Sequence, residues 1–143
     1  RAACAERARG VAAAIAAPDG DGTDRLVAAV EHPEVNILGH PTGRLLNRRE
    51  GLDFDMERIA EAAVVSDTAL EINANPSRLD LRGGYVKQAI EAGATIVVNT
   101  DAHQPSSLEL ARFGVHTARR GWAETDDVLN TRDADGVADF LGL

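Results

Sequence analysis

Asp101-Ala-His103 sets a carboxylate and an imidazole two residues apart. On extended backbone such residues point to one side, with Cα atoms about 7 Å apart, so the two groups can share a ligand. Zinc, manganese and iron accept imidazole nitrogen together with carboxylate oxygen, and a donor from another element would complete one face of the sphere. His40, within Gly39-His-Pro41, is the candidate third donor. The same pair also admits a structural reading, in which His103 caps a turn and Asp101 accepts backbone N–H bonds. Glu71, Asn73 and Asn75 alternate with Ile72 and Ala74, so their side chains share one side of a strand. On a half-solvated edge strand they would be ordinary polar residues. Inside a parallel layer Glu71 would be buried, and a buried carboxylate needs a cation, a donor network or a proton. Glu71 is then a candidate support for the ligands, and Asn73 and Asn75 are candidates to orient ligand or substrate. Arg44, Arg48 and Arg49 follow His40, while Arg78 and Arg82 follow Asn75. If the two loops adjoin, Arg44 and Arg78 supply bidentate donors suited to phosphate oxygens, although charge clusters in loops can equally serve solvation. His32 and His116 read as structural or surface groups, and Trp122 as a packing anchor.

The elements that would position these residues alternate in period. Thr23 is placed to cap a helix carrying Leu26, Ala29 and Val30 that stops before Pro33. Val35 to Gly39 reads as a buried strand, and Pro41 turns His40 away from helix. Asp55 can cap a helix with Met56, Ile59, Ala60, Ala63 and Val64 on one face. Thr68 to Ala74 reads as a strand, Tyr85 to Ala92 as a helix closed by Gly93, and Ala94 to Asn99 as a third strand. Ser106 and Glu109 have capping-box spacing for a short helix, Val115 suits a last strand, and Asp133 can cap a helix with Val137, Phe140 and Leu141 inward. Such alternation implies parallel strands with right-handed crossovers, hence an α/β layer or barrel. His40, Asn73 with Asn75, and Asp101 with His103 then fall at the carboxyl ends of strands, where α/β folds gather their functional groups.

Composition narrows the class. At 143 residues and 44% hydrophobic the chain suits one ordinary domain. A formal charge of -8, with Lys87 the only lysine, argues against autonomous affinity for nucleic acid or anionic lipid, and fits a GC-rich genome or a high-salt cytoplasm. Cys4 alone forms no intramolecular disulfide, which makes a reducing, cytoplasmic setting the default. No run is long and apolar enough for a membrane span, and Glu6, Arg7 and Arg9 break up the alanine-rich start. Residues 1 to 17 favour helix by propensity but carry only Val11 and Ile15 as large aliphatics, and Pro18 to Gly22 reads as a loop. The start at Arg1 is that expected of a truncated chain.

Five segments in order resemble one family: Gly39-His-Pro-Thr-Gly-Arg-Leu-Leu46, Leu70-Glu-Ile-Asn-Ala-Asn-Pro76 with Arg78-Leu-Asp-Leu81, Asn99-Thr-Asp-Ala-His103, Ala118-Arg-Arg-Gly-Trp122 and Val128-Leu-Asn130. They look like the polymerase and histidinol phosphatase (PHP) domain, in the version at the carboxyl end of bacterial and archaeal family X DNA polymerases. The resemblance covers about residues 24 to 143, leaving 1–22 as a poorly matched alanine-rich leader before the carboxyl-terminal part of a PHP domain at 23–143. It implies a distorted, TIM-like βα barrel whose mouth holds a multinuclear centre of divalent metal ions, manganese or zinc. It also implies 3′ to 5′ exonuclease and related phosphoester hydrolysis on DNA in repair, with polymerase domains preceding in the same chain. His40, Asp101 and His103 match the family's metal ligands, and Glu71 and Asn73 a motif beside the metals. The family's earlier His-X-His pair, further histidines and bridging glutamate have no counterpart here, and residues 1 to 22 hold no histidine. Weak metal binding and little nuclease activity are therefore expected of these residues alone. The alternatives are a stand-alone histidinol-phosphatase-like phosphoesterase, and a structural module that has lost its metal.

Overall fold

The computed structural model describes residues 22–143. The expected helix at 1–17, Cys4, and all of the 18–22 loop except Gly22 lie outside the described residues. From there the order is α1 (Gly22–Val30), β1 (Ile37–Leu38), α2 (Met56–Val65), β2 (Ala69–Asn73), α3 (Gly83–Glu91), β3 (Ile96–Asn99), α4 (Ala111–Arg120) and α5 (Ala134–Leu141), with three-ten turns at Pro105–Leu110, Thr125–Asp127 and Leu129–Thr131. The strands form one parallel sheet in the order β1-β2-β3, with Leu38 opposite Leu70 and Asn73 opposite Asn99. The chain is thus mixed α/β, with helical crossovers between parallel neighbours, as the alternating periods imply.

Local chemistry explains the main elements. The Asp55 carboxylate accepts from the amides of Glu57 and Arg58 and starts α2, whose buried stripe is Met56, Ile59, Ala60 and Ala63. Gly93 takes a φ of 92°, which turns the chain from α3 into β3 at no steric cost. All of β2 is buried, and its alternate residues serve opposite faces. Leu70 and Ile72 join Leu26, Val30, Ile59, Val86 and Ile96 in the larger core between sheet and helices α1 to α4. Ile59, Leu70, Ile72 and Ile96 are fully buried, each contributing about 1.5–3 kcal/mol of transfer free energy. On the other face Ala69 and Val97 pack with Leu129, Val137 and Phe140. Farther along that face toward the carboxyl ends, β2 presents Glu71 and Asn73. The outer side of β3 is occupied by Asn130, whose Oδ1 accepts from the Val98 amide at 2.7 Å and whose Nδ2 donates to the Val98 carbonyl at 3.0 Å, imitating a neighbouring strand.

Several local expectations are corrected. Thr23 is the second residue of α1, and its hydroxyl accepts from the Asp55 amide at 2.9 Å, tying α1 to the start of α2. Ladder pairing in β1 covers only Ile37 and Leu38, because His40 takes a positive φ of 32° and the chain turns away. No capping box forms at Ser106: the turn starts at Pro105 after Gln104, which makes no side-chain cap. Val115 lies in α4, not in a strand, and Val64 is 42% exposed. The buried face of α4 is Gly114, Thr117 and Ala118, small residues that carry no visible hydrophobic period. Trp122 is 76% exposed and anchors nothing in the described core. Among the described residues no helix is long and apolar enough to cross a membrane.

Candidate active site

Parallel register brings the three strand ends together, and Glu71 joins them. Its Oε2 accepts from the His40 amide at 2.6 Å and from Asn73 Nδ2 at 3.5 Å, while Oε1 accepts from Asn99 Nδ2 at 3.0 Å. Glu71 is 7% exposed as a residue, so of the three options open to a buried charge the structure gives it the donor network. One side chain of the central strand thereby fixes the turn that carries His40 and the residue from which the chain runs on to Asp101. Asn73 is buried; its Oδ1 accepts from the Asn75 amide at 3.1 Å. Asn75 Oδ1 in turn accepts from the Ser77 amide and hydroxyl at 3.0 and 2.9 Å, so Asn75 shapes the following turn.

The two arginine-bearing loops adjoin, as a shared mouth requires. Leu46 donates its amide to the Ser77 carbonyl at 2.7 Å. The Arg44 guanidinium lies across the second loop, donating to the carbonyls of Arg78, at 2.8 Å, and of Leu79. Arg44 is thus engaged in joining the loops. Arg49 bonds the Gly43 carbonyl, and Arg82 lies over the Tyr85 ring at 4.2 Å. Arg78 differs: its Nε is 3.5 Å from Asp101 Oδ2, and its Nη1 is buried without a partner. The Arg78 guanidinium thus keeps unused donor capacity beside the candidate ligand loop, of the kind that an anionic oxygen satisfies.

Beneath both loops lies Asp80, a residue to which the sequence assigned no role. It is fully buried, pairs backbone to backbone with Asn73, and accepts from the Thr42 amide through Oδ1 at 3.3 Å, while Oδ2 has no partner. Burial raises its carboxyl above the ordinary carboxylate range, against the opposing pull of Thr42, Arg44 and Gly43. The available signal was a carboxylate between two leucines, at Leu79-Asp-Leu81.

The geometry at Asp101 departs from the extended form that the spacing suggested. Asp101 has a φ of 54°, and His103 Nδ1 lies 2.8 Å from the Asp101 carbonyl oxygen. The ring's Nε2 is left facing away from that contact, and both His40 and His103 are exposed. Among the described residues no three His, Cys, Asp or Glu side chains gather closely enough to hold a metal ion. Metal-binding chemistry is present in the donor types, but the donors of residues 22–143 do not by themselves make a closed site. His32 Nδ1 accepts from the Glu34 amide at 3.2 Å and His116 is exposed on α4, in keeping with structural and surface roles.

Comparison with known proteins gives the site its context. No family model matches the chain. Over 117 residues, 82% of its length, the chain is 48% identical to the DNA polymerase/3′-5′ exonuclease PolX of Bacillus subtilis, of which it spans 20%. It is 30% identical over 128 residues to a probable phosphatase of Thermoanaerobacter sp. (strain X514), spanning 48% of that protein. It is 37% identical over 93 residues to one of Shewanella piezotolerans, spanning 35% of it. The chain therefore covers from a fifth to about half of these curated relatives. With the motifs carried at its three strand ends, these matches make the chain a relative of the PHP domain in the form borne by bacterial family X DNA polymerases.

Proposed function

We propose that the chain is the carboxyl-terminal part of a metal-dependent phosphoesterase of PHP type, attached to a family X polymerase and serving as its 3′ to 5′ exonuclease in cytoplasmic DNA repair. The observation that carries this reading is the 48% identity to a protein named as polymerase and 3′-5′ exonuclease. The 20% share of that protein leaves room for polymerase domains elsewhere in the same chain. In this reading the three-stranded parallel sheet is a segment of a larger βα barrel, and the Glu71 face is the barrel's inner side. His40, Asp101 and His103 are this segment's contribution to a centre of divalent ions, manganese or zinc, completed by residues from the rest of the barrel. When bound, such ions acidify water and neutralise charge on phosphate oxygens. The chain's own residues do the positioning: Glu71 holds the His40 turn against Asn99, Asn73 and Asn75 shape the adjoining turn, and the free Arg78 nitrogen meets a phosphate oxygen.

The test is made on the full-length protein, with elemental analysis and a 3′-labelled DNA strand. Bound divalent metal with manganese-stimulated removal of terminal nucleotides is expected, and His40→Ala or His103→Ala should lower the rate by at least about a hundredfold. Less than one metal per protein, with no cleavage, would leave a structural module instead. The probable phosphatases among the relatives favour a second reading, a stand-alone phosphomonoesterase of histidinol-phosphatase type. Absence of a nucleotidyltransferase domain upstream would decide for it.

A further inference from the structure

The chain carries a net charge of -8, yet between Glu109 and Glu124 it has no acidic residue and three arginines, Arg112, Arg119 and Arg120, along with His116. All lie on α4. Among the described residues none of these arginines is in an ion pair with a carboxylate. Of the acids that follow, Glu124 and Asp127 are turned onto backbone, closing a capping box on each other's amides. Leu79, Phe113, His116, Thr117, Arg119 and Arg120 line a groove of about 540 Å³. Its Leu79 wall adjoins Arg78, whose Nε lies 3.5 Å from Asp101 Oδ2 and whose Nη1 has no partner. At the end of α4 stands Trp122, 76% exposed, with its amide bonded to the Arg119 carbonyl. Arginines without carboxylate partners around an apolar floor, next to an exposed aromatic ring, meet the two faces of a single-stranded nucleic acid: phosphates on the cations and bases on the rings.

We propose that the groove along α4, with Trp122 at its end, binds a single nucleic-acid strand and leads it to Arg78 at the strand ends. The proposal extends the phosphodiester-hydrolase reading, naming the path by which the substrate arrives. Charge complementarity selects the occupant, since a polyanion with stackable faces uses both the arginines and the tryptophan, whereas an acidic peptide uses only the charges.

Trp122 is the chain's only tryptophan, so its emission reports directly. The chain is titrated with a short oligothymidylate at low salt in EDTA, where binding is read without hydrolysis. Quenching of Trp122 is expected. Arg119→Ala with Arg120→Ala should weaken binding roughly tenfold and lower the slope of log affinity against log salt by about 1.4, or 0.7 for each phosphate no longer neutralised. Trp122→Ala, followed by anisotropy of a labelled strand, should weaken it roughly tenfold with the slope unchanged. Both arginines are exposed and alanine retains the Arg120 Cβ that packs on Gly83, so circular dichroism should show an unaltered fold. Unmoved emission at saturating oligothymidylate, affinities within twofold of wild type in the arginine variant, or equal competition by polyglutamate would each overturn the proposal. Because binding is read without metal, it is scored separately from cleavage: strand binding through this groove, together with no manganese-dependent cleavage by the full-length protein, would refute the hydrolase reading and leave the groove standing.

Discussion

Exchanging Glu71 for glutamine replaces one carboxylate oxygen by an amide nitrogen and keeps the side chain's shape. The two short hydrogen bonds lie on different oxygens, with the His40 amide 2.6 Å from Oε2 and Asn99 Nδ2 3.0 Å from Oε1. Whichever way the new amide is turned, one of these donors meets another donor. A charge-assisted hydrogen bond contributes about 1.5–3 kcal/mol, so one such bond is removed and the other falls to the neutral value of about 1 kcal/mol. Removing a buried charge returns part of that loss. The net destabilisation should be about 2 kcal/mol, or roughly 6 °C in Tm for a chain of this size. Urea unfolding followed by far-ultraviolet circular dichroism measures it. A double-mutant cycle with Asn99→Ala should show the two substitutions costing less together than their sum, because both act on one hydrogen bond. Glu71→Gln within 0.5 kcal/mol of wild type, or strict additivity with Asn99→Ala, would refute the idea that this carboxylate joins the strand ends.

Gly114→Ala puts a Cβ 2.4 Å from Val98 Cγ1 and 2.9 Å from Ala74 Cβ. The gain in helix propensity of about 1 kcal/mol is outweighed by overpacking of about 1–3 kcal/mol, so a lower urea midpoint is expected, and a higher one would contradict the close approach of α4 to the sheet. Asp80 has a folded-state pKa raised above its ordinary value of 3.8, so its contribution to stability is present below that pH and lost as pH rises through the folded value. Asp80→Asn should remove that fall, giving urea midpoints above wild type at neutral pH and a difference that vanishes near pH 4; identical pH profiles would sink the argument. If the acid excess is an adaptation to high salt, Tm should rise with potassium chloride, because screening relieves the repulsion behind the -8 charge. The 143 residues alone should show little manganese-dependent cleavage, and robust cleavage of labelled DNA by them would contradict a site completed from elsewhere in the barrel.

The order of elements was legible because the buried residues of α1, α2 and the strands are large aliphatics at helical or strand spacing. It was illegible at α4, which packs through Gly114, Thr117 and Ala118 and so puts no hydrophobic stripe into the sequence. The three strand ends were legible from the polar residues that follow apolar runs, and Glu71 could be marked as buried once a central strand was assumed. What spacing could not convey was direction. A positive φ at His40 and at Asp101 turns both residues off the strand axis, and although histidine and aspartate adopt such φ more often than most residues, the preference is too weak to announce the turn from sequence. Asp80 was hidden for another reason: its role is to accept from an amide 38 residues away, a relation that exists only once both loops are folded together.

A metal centre at the strand ends requires His40 and the Asp101–His103 turn to face a common cation, and the chain's four histidines test this within one sample. Imidazole resonances are followed by NMR during a manganese titration, where a paramagnetic ion broadens its neighbours even when binding is weak. His40 and His103 should broaden together at the lowest additions while His32 and His116 stay sharp. Broadening of only one of the pair, or of all four in parallel, would contradict a shared site at the strand ends.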